Sequence, residues 1–161
     1  DMFLFSCFTG IPYGDMRLLT EDNLSKAADG TWWIKGSREK TDVEFEVPLL
    51  ELPLRIIRKY RDTASGGKLL PMYSNSTMNL YLKRIARICG IDRRLVFHSG
   101  RHTYATEITL SHGIPLETVS KMLGHSRIET TQIYAKVTDD KIDSDTDGLN
   151  ERIAERFSVV I

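Results

Sequence analysis

The first apolar stretch, Phe3-Leu4-Phe5-Ser6-Cys7-Phe8, begins with no capping residue placed ahead of it. The chain therefore reads as one domain over 1–161, cut from something longer, with a further domain expected upstream. Pro12 after Gly10 suits the first turn of a short helix running to Leu19, because a fixed φ and a missing N–H cost nothing there. Asp29-Gly30 predicts a hairpin turn into Thr31-Trp32-Trp33-Ile34-Lys35, which is rich in β-formers. Beyond Lys40-Thr41, Val43, Phe45 and Val47 alternate with Glu44 and Glu46, the period of a half-buried strand, and Pro48 ends it. Three short strands in a small antiparallel sheet are expected.

From residue 49 the period becomes helical. Leu50, Leu54, Ile57 and Tyr60 fall on one stripe, and Thr77 to Cys89 forms a second amphipathic segment closed by Gly90. Four more helical segments are expected over His98–Ser111, Pro115–Leu123, Glu129–Ala135 and Lys141–Phe157, the last weakened by Gly148. The fold class is thus α+β, mostly α-helical, with no internal repeat or low-complexity tract.

Composition narrows this little: 41% hydrophobic and 27% charged residues fit any soluble globular domain. No apolar run approaches the roughly 20 residues of a membrane span, and the opening residues lack a signal peptide's basic flank and cleavage site. A cytoplasmic protein with no membrane partner is expected. Cys7 and Cys89 are read as reduced core residues. Net charge is zero, but its distribution is uneven: residues 1–34 carry −3, residues 35–102 carry +7 and residues 103–161 carry −4. A basic middle block of this kind can follow a phosphate backbone even in a neutral chain, since screening confines each charge to its neighbourhood.

Taken singly, the polar candidates are ordinary: His98 and Arg101 three apart at a helix start, His125 after Leu123-Gly124, Tyr134 in a helical segment, Lys40 in a hairpin. In this order and spacing they resemble the tyrosine recombinase (phage-type integrase) family. The resemblance rests on Phe97-His98-Ser99-Gly100-Arg101-His102-Thr103-Tyr104-Ala105-Thr106, on Leu123-Gly124-His125-Ser126, and on Tyr134 nine residues after His125. Lys40-Thr41 ahead of Pro48 is similar to the family's hairpin lysine, and Phe8-Thr9-Gly10-Ile11 with Asp15 to its first box. It implies the family's DNA breaking-and-rejoining catalytic fold, with a core-binding domain upstream.

Phosphodiester exchange explains the residue types. A phenol is mostly protonated at neutral pH and needs cations nearby to attack phosphorus. The transition state gains charge on its non-bridging oxygens, where Arg101 can donate two parallel hydrogen bonds. His98 and His125 can donate further hydrogen bonds and move protons. The resemblance gives protonation of the leaving 5′-oxygen to Lys40 and a 3′-phosphotyrosine to Tyr134, with no cofactor and no metal. It implies double-stranded DNA as partner, with Lys35, Arg38, His102 and Arg127 as DNA contacts. It also implies self-association into a tetrameric synapse through Ile142, Leu149, Ile153 and Phe157.

One position departs from the family. Pro12 stands where the first box carries an arginine after Thr-Gly-Ile or Thr-Gly-Leu, and proline can supply neither charge nor a hydrogen bond. Another cation is expected to substitute: Arg127 ranks first, beside His125; Lys35 and Arg38 are alternatives on the hairpin; Arg17 is expected to point away. Three other readings remain open: a type IB topoisomerase, a DNA-binding module without catalysis, and a metal site of His98, His102 and His125. The last lacks a completing carboxylate.

Overall fold

The computed structural model describes residues 1–64, 66–135 and 139–154. Helix α1 (Met2–Thr9) buries Phe5, Ser6, Cys7 and Thr9. It ends at Gly10, whose φ of 69° lets its N–H donate back to Ser6 O at 2.9 Å. A Cβ there would stand 2.5 Å from the Tyr104 ring, so this corner needs glycine both for its dihedral and for its space. The short helix expected through Leu19 is only α2 (Tyr13–Met16), with Pro12 as its N-cap.

Strands β1 (Leu24–Lys26), β2 (Trp32–Ser37) and β3 (Glu44–Pro48) form the expected antiparallel sheet in that order. Ile34 faces Leu24 on one side and Val47 on the other. The alternation holds: Phe45 and Val47 are buried, while Glu44 is exposed and Glu46 half-buried. In α3 (Glu51–Tyr60) Pro53, Ile56 and Ile57 are buried, and Leu54 and Tyr60 pack on the core as predicted, while Leu50 does not. Leu49 is the cause. Its N–H bonds Trp32 O at 2.7 Å and its side chain enters the core, so Leu50 turns outward at the helix start.

Helix α4 (Asn75–Ile88) starts earlier than the apolar pattern suggests, because the Ser74 hydroxyl caps it by accepting from Thr77 N. It buries Met78, Leu82 and Ala86. Cys89 is exposed, contrary to expectation: it caps the helix just where Gly90, at φ 66°, turns the chain away. Cys7 is buried, and burial pushes its thiol up to about 11.

The single helix expected over His98–Ser111 is a composite. Helix α5 (His98–Thr103) widens into a π-helical turn over Tyr104–Thr109 and tightens to 3₁₀ over Leu110–His112. The buried Thr109 hydroxyl occupies the wide turn, bonding Ala105 O at 2.8 Å and Tyr104 O at 3.1 Å. Helices α6 (Leu116–Met122) and α7 (Glu129–Gln132) follow. The C-terminal segment is two helices, α8 (Asp139–Thr146) and α9 (Leu149–Ala154), because Gly148 takes φ 64° between them. Ile142, Leu149 and Ile153 are exposed, and Phe157 lies outside the described residues.

Helix α1 packs on α5 and α3, and α6 on β3, which brings the Gly10 corner, the β2–β3 hairpin and the end of α6 around Arg101. Among the described residues, no helix is long and apolar enough to cross a membrane.

Candidate active site

Arg101 is 3% exposed and anchored on both sides. Its Nη1 donates to Gly10 O at 2.8 Å and its Nη2 to Leu123 O at 2.6 Å. The two capping glycines of α1 and α6 thus free the carbonyls that hold it. Nη2 also lies 2.9 Å from His125 Nε2. A guanidinium only donates, so Nε2 is the acceptor, and Nδ1 carries the ring proton toward Thr131 Oγ1 at 2.8 Å. Burial, with Arg101 and then Arg38, drives the His125 pKa down to about 4, so the ring is neutral at pH 7. Burial and the neighbouring Arg38 lower Arg101 to about 10, offset in part by the nearby Tyr134 and by Asp15. It remains a cation at neutral pH.

Arg38 is the second cation. It lies at the end of β2, and its side chain crosses Gly124, where a Cβ would come within 2.8 Å of Arg38 Cγ. Its Nη1 donates to Leu123 O at 2.9 Å, the oxygen that Arg101 also uses. Its Nε pairs with Asp15 Oδ2 at 2.6 Å, with both side chains largely buried. Asp15 Oδ1 accepts from Glu39 N at 3.0 Å, and Glu39 Oε1 pairs with Arg17 Nη2 at 2.6 Å. One carboxylate therefore fixes both the second arginine and the root of the hairpin that carries Lys40.

The other cations named from sequence stand differently. Arg127, ranked first as a substitute, is 77% exposed and pairs with Glu129 at 3.5 Å. Lys35 pairs with Glu46 on the neighbouring strand. Arg17, expected to point away, reaches the rim of the cleft through Glu39, because α2 is a single turn and ends at Met16.

A cleft of about 680 Å³ opens over this centre, lined by Pro12, Asp15, Arg17, Arg38, Lys40, His98 and Arg101 among others. His98 is exposed at its rim, its pKa lowered by partial desolvation and then by His102, Arg101, Arg38 and Lys40. Tyr134, 7% exposed, sits behind Arg101. The His125 ring lies parallel to it at 6.4 Å and His102 meets it nearly edge-on at 4.8 Å. His98, Arg101, His125 and Tyr134 are brought together as their spacing predicts, and Lys40 shares the cleft.

Sequence reasoning gave no site role to Asp15, Thr131 or the Leu123 carbonyl. Only Asp15 left a signal, its place in the first-box resemblance, and the fold buries it to 5% exposure. Among the described residues no three His, Cys, Asp or Glu side chains come together as metal ligands, so His98, His102 and His125 do not form such a group.

A sequence profile of the phage integrase family matches residues 2–141. The chain is 34% identical over 113 residues to tyrosine recombinase XerD of Listeria monocytogenes serotype 4b (strain F2365), covering 62% of this chain and 38% of that protein. Against tyrosine recombinase XerC of Rickettsia prowazekii (strain Madrid E) it is 30% identical over 118 residues, covering 65% and 35%. It spans under two-fifths of the length of these relatives. In fold it is similar to XerA recombinase, with TM-score 0.68 and 21% identity over 96% of this chain and 56% of that one. It is also similar to the catalytic domain of bacteriophage HP1 integrase, with TM-score 0.62 and 18% identity over 92% and 82%.

Proposed function

The chain belongs to the phage integrase family, and on that premise we propose that it is the strand-cleaving part of a site-specific DNA recombinase acting through a 3′-phosphotyrosine at Tyr134. The observation that carries this reading is the convergence of Arg38 and Arg101 on Leu123 O, next to Tyr134, whose ring lies parallel to that of the Arg101-bonded His125.

A scissile phosphate in the cleft takes donors from both guanidinium groups, which need only exchange a carbonyl for a charged oxygen. The Tyr134 oxygen attacks phosphorus, and its proton passes to the neutral imidazole of His98, since the ring nitrogens of His125 are taken by Arg101 and Thr131. The bond from phosphorus to the 5′-oxygen breaks, and Lys40 protonates that oxygen. A 5′-hydroxyl from another strand then reverses the attack. Each step exchanges one phosphodiester bond for another, so the bond energy is kept in the tyrosyl ester and no external energy source is needed for either step.

Arg38 takes the part of the first-box arginine that Pro12 cannot play. The reading as a DNA-binding module without catalysis loses its motive accordingly. Double-stranded DNA as the partner is supported by the basic block at 35–102 and by a solved relative, XerH, described as bound to its difH substrate. Self-association on DNA through the exposed Ile142, Leu149 and Ile153, with Phe157, completes the proposal.

The test is a nicked duplex that loses its 5′ fragment after cleavage, so that a covalent complex accumulates. Wild type is expected to form an adduct that maps to the Tyr134 peptide, and Tyr134→Phe to bind the duplex without forming one. An equal adduct in the variant overturns the mechanism.

A further inference from the structure

We propose that His102 is a positioning residue for the Tyr134 nucleophile, an inference that rests on the reading above. Arg101 and His102 are adjacent on α5 but do different things: the arginine turns into the core, and the histidine stays exposed. Its ring centroid is 4.8 Å from that of Tyr134 with the planes at 77°, and 5.1 Å from that of His98 at 87°. Both are the edge-to-face geometry in which one ring's positive edge meets another's negative face. On its other side Tyr134 has His125, nearly parallel at 7°.

The phenol is buried against the core, and the rings beside it set the orientation of its plane. Its backbone follows a helix of only four residues, and its N–H bonds Thr131 O at 3.0 Å. The hydroxyl lies near the Arg101 guanidinium, and a neighbour at the tip alone leaves the ring free to turn about its axis. In-line attack tolerates little such freedom, since a displacement of about an ångström is enough to cost a large factor in rate. His125 restrains one face but is itself tied to Arg101 and Thr131, so the exposed side of the phenol is left to His102. His98, four residues earlier on the same helix, backs the His102 ring. The nucleophile is therefore covered by a row running His98, His102, Tyr134, His125, of which His102 is the member that bridges the cleft rim to the buried phenol.

This differs from the DNA contact expected of His102 from sequence, and the two assignments separate experimentally. Single-turnover adduct formation on the nicked duplex and the Kd for intact duplex are measured for wild type, His102→Ala and His102→Phe, with circular dichroism as a check on folding. Phenylalanine keeps the ring and its edge but cannot hydrogen-bond to DNA. Expected are a rate about 3- to 10-fold lower for alanine, the range one aromatic pair supports, near-complete rescue by phenylalanine, and an unchanged Kd for both. A rate in the alanine variant equal to wild type overturns the proposal. So does a phenylalanine variant as slow as the alanine one, or a Kd that weakens in step with the rate. If wild type itself forms no adduct at Tyr134, it is the recombinase reading that fails.

Discussion

Arg38 and Arg101 donate to the same backbone oxygen, Leu123 O, at 2.9 and 2.6 Å, although 63 positions separate them and one lies on a hairpin and the other on a helix. Two guanidinium groups so close repel each other, and this repulsion adds to burial, the larger cause, in lowering the pKa of Arg101. Asp15, bound to Arg38 at 2.6 Å, offsets part of it. What remains is a pair of closely placed cations, which under the proposed function would be neutralised by a phosphodiester.

Lys40 should act at the leaving-group step. Lys40→Ala is expected to slow cleavage about 10²- to 10⁴-fold, the usual contribution of a general acid. A substrate with sulfur at the bridging 5′ position expels its leaving group without protonation and should recover most of that loss. Equal defects on both substrates would assign Lys40 to binding.

Gly124 should be intolerant of any side chain. Gly124→Ala meets a φ of 64° and a contact at 2.8 Å with Arg38 Cγ, a backbone cost of about 1–2 kcal/mol before Arg38 moves. Urea unfolding should report that loss, and cleavage should fall further than stability explains, because the displaced side chain is the one proposed to hold the phosphate.

Low pH should weaken the fold through His125. Its folded pKa is about 4 against an ordinary 6.5, so between those values the unfolded chain holds a proton that the folded chain refuses. Stability is therefore full above pH 6.5 and falls as pH falls through that window. His125→Gln removes the titration, and the drop in unfolding free energy between pH 7 and pH 4.5 should shrink by on the order of 1 kcal/mol once solvent screening of this partly exposed ring is allowed for. An unchanged drop would mean that the ring is protonated in the fold.

Deleting residues 141–161 should reduce assembly of paired sites more than binding to one site. The exposed Ile142, Leu149 and Ile153 gain cover only from another surface. Gel-shift titration with one and with two sites measures the difference, and normal pairing by the truncated protein would remove this role.

What the sequence made legible is whatever depends on spacing along one element or on a signature of several elements in order. His98 and Arg101 share a helix start, His125 follows a helix-capping glycine, and the alternation of Phe45 and Val47 survives intact in β3. Arg38 was not legible as the partner of Arg101. Nothing in Ser37-Arg38-Glu39-Lys40 marks one cation of a hairpin above another. The choice is made by Asp15 across the cleft and by the absence of a side chain at Gly124, both long-range facts. Arg127 looked better only because proximity in sequence to His125 stands in poorly for proximity in space; the turn after Gly124 carries it out to solvent beside Glu129. In the stripe of α3 only Leu50 departs, since the strand-end residue Leu49 takes the core position and Leu54, Ile57 and Tyr60 pack on the core as expected. The π turn after α5 depends on a Thr109 hydroxyl whose partners are backbone carbonyls, which leave no pattern in the side chains.

The central claim is that Arg38 supplies the second arginine of the phosphate site. Its most direct test is the cleavage rate of Arg38→Ala and Arg127→Ala on an ordinary duplex and on one with a methylphosphonate at the scissile position, whose missing oxygen charge reduces the need for a cation. Arg38→Ala is predicted to lose about 10²- to 10³-fold on the ordinary duplex and far less on the neutral one, with Arg127→Ala close to wild type on both. An Arg38→Ala defect of the same size on the two substrates, or a Pro12→Arg change that restores the rate of a protein indifferent to Arg38, would contradict the account.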